Sequence, residues 1–279
     1  MDYAIQTNGL SLDPGYFPFF KEHGFLVGLS LDLDKKYHDF NRIDSSGEGT
    51  FSRILATKRE LEAHKVPYNV LCVLTSPLSK HPQKVWNFIQ KEKLGFVQFI
   101  PCLGELEGNS TNLSLTSKGF SHFYSGLLPL WFDSLKKDNY ISIRFFDDLF
   151  HLILHRNINS CGFTGQCGVQ MVVEGDGSVY PCDFYVLDQW KLGNFAENSF
   201  QELKNCSVAS DFLSSRPPLP SYCEDCPFLN FCNGGCKRMG HEMYAFGDFC
   251  GYRDFLERNR SLIDDITFYF QQRERARTR

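Results

Sequence analysis

No stretch of the 279-residue chain approaches the roughly 18 consecutive apolar residues that a membrane-crossing helix requires. An excess of basic charge is missing as well. With 29 Lys and Arg against 33 Asp and Glu, the formal net charge is −4, which argues against a nucleic-acid partner gripped through its phosphates. The opening residues MDYAIQTNGL lack the basic-then-apolar pattern of a secretory signal. The expected setting is therefore the reducing cytoplasm, with neither membrane nor nucleic acid as a partner. What remains, 42% apolar and 22% charged residues, is the composition of a globular chain with ample length for a core. Aromatic residues are plentiful at 15%, with 27 Phe, and a large aromatic core is the simplest account of them.

Cysteine is the other abundance, at eleven residues. The stretch SYCEDCPFLNFCNGGCKRMG, residues 221–240, carries Cys223, Cys226, Cys232 and Cys236 in a C-x2-C-x5-C-x3-C run. Pro227, Asn230, Asn233, Gly234 and Gly235 mark this as loop sequence, so the four thiols are not ordinary core packing. Disulfides belong to oxidising compartments, so metal or iron–sulfur ligation leads over a disulfide knot. Cys161, Cys167 and Cys182 upstream and Cys250 downstream complete a set of eight, the number of thiolates that two [4Fe–4S] clusters require. Tetrahedral zinc is the alternative for four thiolates. Cys72 and Cys102, in the apolar runs NVLCVLT and VQFIPCL, and Cys206, in a helical stretch, read as packed bystanders.

Along residues 3–147, β-rich runs alternate with amphipathic helices. Strands are expected at 3–8, 25–32, 68–75, 96–103 and 140–147, and helices at 14–23, from a Thr50 cap to His64, at 81–93 and at 116–137. Near-continuous apolar strands separated by helices imply a parallel sheet whose ligands sit at the carboxyl ends of the strands. Polar residues fall there: Gln6, Thr7 and Asn8, then Ser30 and Asp32, with His38 and Arg42 in the following loop. The first run looks buried yet has no helix before it, and so few strands do not close a barrel. After residue 150 the pattern changes. VQMVVE, a GDGS turn and SVYPCDFYV predict a hairpin with Cys182 and Asp183 on its returning strand. A helix over 198–214, the RPPLP linker, the cysteine run and a helix over 251–272 follow, and QQRERARTR is expected to be a frayed end.

QTNG at 6–9, VGLSLD at 27–32, His38 with Arg42, GDGSVYPCDFYV, LGN at 192–194 and the eight cysteines together resemble the anaerobic sulfatase-maturating enzymes. These are radical S-adenosylmethionine (SAM) oxidoreductases with a SPASM domain. The resemblance implies an α/β fold: a partial radical SAM (β/α)6 TIM-like barrel over residues 1–150, strands three to six present, then a small α+β SPASM domain over 151–279. Two auxiliary [4Fe–4S] clusters follow from it, one on Cys161, Cys167, Cys182 and Cys236, the other on Cys223, Cys226, Cys232 and Cys250. Ser30, Arg42 and Leu103 match positions that hold SAM, and a cationic fork such as Arg42 suits its carboxylate. Ordinary strand-end residues are the alternative for Ser30 and Leu103. Asp183 matches the proposed general base, with a turn-capping Asp as its alternative.

The implied reaction oxidises a Ser or Cys of an unfolded sulfatase polypeptide to Cα-formylglycine, fed by an electron donor such as ferredoxin or flavodoxin. Other SPASM enzymes that modify peptides, and a non-catalytic cluster-binding remnant, are the alternative readings. Two family elements do not occur before residue 161: the C-x3-C-x2-C motif of the SAM-cleaving cluster and a Gly-Gly-Glu-Pro-like strand end. That third cluster is expected only in a longer, complete protein, and this chain is expected to be truncated and inactive alone.

Overall fold

The computed structural model describes residues 2–106, 111–156, 160–240 and 244–277. These form two compact units. The first comprises Met1–Asn157 together with Phe249–Arg279, and the second Ile158–Asp248.

The first unit is built on a five-stranded sheet in the sequential order β1-β2-β3-β4-β5: β1 Ala4–Thr7, β2 Leu26–Ser30, β3 Tyr68–Leu74, β4 Phe96–Pro101 and β5 Ser142–Ile143. Every pairing is parallel, with Val27 opposite Tyr68, Val70 opposite Val97 and Phe96 opposite Ser142. The sheet thus has one strand more than a count of three to six implies. Its middle carries the buried runs: Val27, Leu29, Val70 and Cys72 are fully enclosed. Both faces must be covered for such strands, and helical crossovers supply the cover. β1 departs from expectation, since Ala4, Ile5 and Gln6 are exposed at the edge of the sheet.

Two further departures come from helical periodicity. The predicted strand 140–147 shrinks to two residues because RFFDDLFHLILH puts Phe145, Phe146, Leu149 and Leu152 on one buried face of the helix Arg144–His155. Thr50 occupies the N-cap position of helix Phe51–Ala63 but does not cap it with its side chain. Asp39 Oδ1 accepts the Phe51 N–H at 2.8 Å instead.

The residues after 248 were expected to belong to the second domain, but they return to the first unit. The expected single helix is two, Gly251–Arg258 and Arg260–Arg277, broken at Asn259. Asn259 Nδ2 donates to Ser125 Oγ at 2.8 Å, tying the break to the long helix Ser117–Lys136. The tail is helical through Arg277 rather than frayed. Arg273 Nη1 donates to Asp138 Oδ1 at 2.8 Å, and Ser121 pairs with Asp254.

Aromatic packing accounts for the phenylalanine excess. Tyr124 stacks on Phe145 with centroids 4.0 Å apart, and Phe145 meets Phe255 at 5.4 Å and Phe120 at 5.3 Å. Trp131 is enclosed and donates its indole N–H to Ile141 O at 2.7 Å. Such pairs add to the burial of their surface.

In the second unit, β6 Val172–Val173, β7 Ser178–Tyr180 and β8 Gly193–Asn194 form an antiparallel sheet. The Asp176–Gly177 turn is as expected: Gly177 has φ +83°, and Asp176 Oδ1 accepts the Ser178 N–H at 2.9 Å. The returning strand stops at Tyr180, so Cys182 lies beyond it and Asp183 begins the 3-10 turn Asp183–Tyr185. The predicted helix 198–214 is also two, Phe200–Asn205 and Ser207–Ser214. Cys206 is the extended residue between them, packed against the core of Val179, Leu192, Leu203 and Ala209.

The approach of helix Gly251–Arg258 to helix Ser117–Lys136 is testable. A Cβ on Gly251 would lie 2.1 Å from the Ser117 carbonyl oxygen, whereas Gly95 faces open space. Gly251→Ala should destabilise by about 1–3 kcal/mol, the usual effect of overpacking. Gly95→Ala should stay within about 0.5 kcal/mol of wild type. Urea midpoints at equal iron content measure both, and equal midpoints would refute the close crossing.

Candidate functional site

At the carboxyl edge of the parallel sheet, Asp32 organises the residues around Ser30. Its carboxylate takes a fork from Arg42, Nε to Oδ2 at 2.8 Å and Nη2 to Oδ1 at 3.4 Å. The same carboxylate accepts the Val73 N–H at 2.8 Å, next to the end of β3. The Asp32 side chain is 4% exposed and that of Arg42 is 26% exposed, so the pair is held from the buried side. A bidentate, partly desolvated pair fixes the guanidinium far better than a surface pair does.

His38, fully buried, completes the frame. Its Nδ1 accepts the Asp32 N–H at 3.1 Å. The Thr50 hydroxyl donates to Arg42 O at 3.0 Å, so its oxygen faces His38 Nε2, 3.0 Å away, as acceptor. The ring is therefore neutral with its proton on Nε2. Burial holds the His38 pKa below the ordinary histidine value, against the opposing pull of Asp32. Ser30 ends β2 and is buried, and Leu103 follows β4 and is half-buried. Cys102 N–H donates to Leu74 O at 3.1 Å, which aligns the end of β4 with that of β3. Ser30, Arg42 and Leu103 thus share one edge of the sheet. Thr7 and Asn8 instead serve a turn, accepting the Gly9 and Leu10 N–H groups.

The second unit brings Cys161, Cys167, Cys182 and Cys236 around one cavity, which Asp183 and Lys237 also line. Local sequence explains how. Asn233, Gly234 and Gly235 take φ values of 44°, 75° and 70°, reversing the chain just before Cys236. At Gly234 the φ of +75° strains any residue with a Cβ, which is why glycine stands there. Arg216 then straps this reversal to the Cys161 segment, with Nη1 donating to Gly165 O at 2.8 Å and Nη2 to Gly235 O at 3.0 Å. Asn233 Nδ2 donates to Thr164 O at 2.9 Å, and the Cys236 N–H to Gly162 O at 3.1 Å.

Crowding marks these thiols. Burial pushes the Cys161, Cys167 and Cys182 thiols up, Cys182 to about 12, and repulsion from Cys236 adds to each. Cys182 Sγ donates to Asp183 Oδ1 at 3.4 Å, and the Asp183 side chain is exposed. Lys237 is almost wholly buried beside them. Cys223 ends the 3-10 turn Ser221–Cys223, Cys232 ends the helical turn Leu229–Cys232, and Cys226 lies between them with its N–H donating to Cys223 O at 3.1 Å. Cys250 belongs to the first unit, where its sulfur accepts the Arg253 N–H at 3.4 Å as N-cap of helix Gly251–Arg258. Cys72, fully buried, and Cys102, half-buried, sit under the sheet edge, where burial raises both thiols. Arg216, Lys237 and the pivotal part of Asp32 escaped the sequence reading. Only the adjacency of Lys237 to Cys236 offered a signal.

The neutral His38 has a pH signature. Below its unfolded value of about 6.5, the unfolded chain binds a proton that the folded chain refuses. The His38 contribution is thus complete above about pH 6.5 and is lost as pH falls through the window down to the lowered folded value. Nitrogen-15 NMR should show a neutral Nε2–H ring at pH 7, and His38→Gln should flatten the decline in urea midpoint just below about pH 6.5. A ring that titrates as an exposed histidine does would overturn the network.

Among known proteins, an iron–sulfur cluster-binding domain of the SPASM type matches residues 161–227. A cysteine-type anaerobic sulfatase-maturating enzyme of Clostridium novyi (strain NT) is 39% identical over 94% of this chain and 72% of its own length. One from Clostridium perfringens (strain 13 / Type A) is 40% identical over 84% of this chain and 64% of its own. The solved structure of native anSMEcpe with bound AdoMet and Kp18Cys peptide superposes with a TM-score of 0.88 at 35% identity, covering 96% of this chain and 76% of that one. Among the described residues no helix is long and apolar enough to cross a membrane. With its parallel α/β sheet, its cysteine-lined cavity and this degree of identity to a relative matched over most of its length, the chain belongs to the anaerobic sulfatase-maturating enzymes of the radical SAM, SPASM-domain class.

Proposed function

We propose that this chain carries the substrate-oxidising part of a cysteine-type sulfatase maturase, converting a cysteine of an unfolded sulfatase polypeptide to Cα-formylglycine. The observation that carries the reading is the convergence on one cavity of four thiols, three of them (Cys161, Cys167 and Cys182) inside the segment that matches an iron–sulfur domain and the fourth, Cys236, nine residues beyond it. The donor set fits an inorganic cluster. Four thiols line one cavity, and four thiolates are the donor set of a [4Fe–4S] cluster. Cys161, Cys167, Cys182 and Cys236 would hold one [4Fe–4S] cluster, and Cys223, Cys226, Cys232 and Cys250 a second.

The sheet edge fits SAM equally. Arg42, braced by Asp32, offers a guanidinium to a carboxylate, beside Ser30 and the backbone at Leu103. When bound, SAM supplies the radical that abstracts a hydrogen atom, and the clusters supply a sink for the remaining electron. The overall change removes two electrons and two protons from the Cβ–S unit, and water then replaces sulfur, which leaves as hydrogen sulfide. Asp183, exposed on the cavity rim, takes the thiol proton. Deprotonation makes the neighbouring carbon radical a stronger reductant, so a base within roughly 2.6–3.2 Å, or through one water, contributes about a hundredfold or more. A cytoplasmic reductant such as ferredoxin or flavodoxin completes the cycle, and the cysteine-type relatives point to Cys rather than Ser as the target.

Anoxic reconstitution should load about eight iron per chain, four for each cluster. Four iron, or stoichiometric zinc, would contradict the two-cluster reading. The C-x3-C-x2-C motif does not occur in the 279 residues, so the activity assay fuses the corresponding segment of a relative to the N-terminus. The fusion should form formylglycine on a sulfatase-derived Cys peptide, read by mass spectrometry. Asp183→Asn should keep its iron yet lose formylglycine by about a hundredfold or more. Near-normal product from that variant would remove Asp183 from the chemistry.

A further inference from the structure

Lys237 follows Cys236 directly and is only 7% exposed. Its ammonium donates to Phe212 O at 2.7 Å and to Ser215 Oγ at 3.1 Å. The third side of the nitrogen rests 3.3 Å above the Phe212 ring, with the Tyr185 and Trp190 rings 5.0 and 5.6 Å away. The rings brace one another: Tyr185 and Trp190 each meet Phe212 edge-on, at 5.4 and 5.3 Å. Two oxygens and three ring faces around one nitrogen are a receptor for a cation.

An apolar residue would fill this cage without the desolvation that an ammonium suffers there. The opposite charge that offsets that desolvation would come from the cavity itself, since Lys237 lines it with Cys167, Cys182 and Cys236, which become thiolates when they ligate. The Lys237 backbone N–H also faces the Cys167 sulfur. One residue therefore presents both a hydrogen bond and a full positive charge to the same ring of sulfurs. Net charge and hydrogen bonds to sulfur are the factors by which a protein sets the potential of an iron–sulfur cluster.

We propose that Lys237 is the built-in counter-cation of the cluster held by Cys161, Cys167, Cys182 and Cys236, a positioning residue that raises its reduction potential. The inference rests on the iron–sulfur reading of that cavity. Gaining one electron makes the cluster more negative, and a fixed cation nearby favours that state. Lys237 thereby prepares this cluster, next to Asp183, to take the electron that the oxidised substrate gives up.

The test is a redox titration, followed by electron paramagnetic resonance, of the reconstituted chain and of Lys237→Met, Lys237→Gln and Lys237→Arg, with iron measured on each preparation. In the two neutral variants one couple should become at least tenfold harder to reduce, a fall of about 59 mV for one electron. The other couple and the iron content should stay put, and Lys237→Arg should remain near wild type. Unchanged couples in fully loaded neutral variants would overturn the proposal. If the neutral variants take up no iron while Lys237→Arg does, the proposal stands, because Gln is smaller than Arg and charge rather than volume then decides assembly. Loss of iron from Lys237→Arg as well would reduce Lys237 to a packing role and overturn it. A wild type that takes up no iron would sink the iron–sulfur reading and this inference with it, an outcome the iron assay separates from unchanged potentials.

Discussion

Four thiols surround one cavity only if the backbone is held there against their mutual repulsion and desolvation. The second unit supplies that restraint with hydrogen bonds to main-chain oxygens, two of them charge-assisted. Arg216, Asn233 and the Cys236 N–H tie residues 162–165 to residues 233–236, bringing segments some seventy positions apart into register. The three left-handed residues Asn233, Gly234 and Gly235 make the reversal that these bonds clamp. The φ of +75° at Gly234 strains any residue with a Cβ, so the dihedral angle asks for glycine there. Charge is arranged on the same frame, with a buried cation at Lys237 and an exposed carboxylate at Asp183 on one cavity. In the proposed reaction each has a separate part: the carboxylate takes a proton, and the cation favours the arrival of an electron.

The first unit solves a similar problem with one carboxylate. Asp32 is reached by Arg42, by the Val73 N–H and, through its own N–H, by His38. Three elements meet on that residue: the end of β2, the end of β3 and the loop after helix Lys35–Asn41. A buried polar network of this kind is stable only when every member is satisfied, and the neutral His38 tautomer is what satisfies the last two groups, Thr50 and the Asp32 amide. Holding Arg42 rigid leaves less order to be imposed when a carboxylate-bearing ligand arrives.

Much of the organisation was legible in local pattern. The alternation of apolar strands with amphipathic helices marked the parallel sheet, because strand and helix periodicities are properties of a few neighbouring residues. Asp176–Gly177 announced its hairpin for the same reason: the turn needs positive φ, and glycine supplies it. Cysteine spacing in loop sequence pointed to ligation, and the resemblance it carried named the sets. Where the reading slipped, a longer-range contact decided. The strand at 140–147 gave way to a helix whose buried face answers Tyr124 and Phe255. Thr50 left its capping role because His38 and Arg42 claimed its hydroxyl.

By itself the sequence determined the class of the molecule: a parallel α/β unit, and a unit after it whose cysteines are spaced in loop sequence as ligands are. Those are consequences of residue type and spacing, which need no knowledge of what packs where. Tertiary structure alone decided that the last helices return to the first unit, that Asp32 braces Arg42, and that Lys237 lies caged beside Cys236. Each of these depends on the desolvation of a charge or on a close backbone approach. Such energies exist only once distant segments have excluded water from between them.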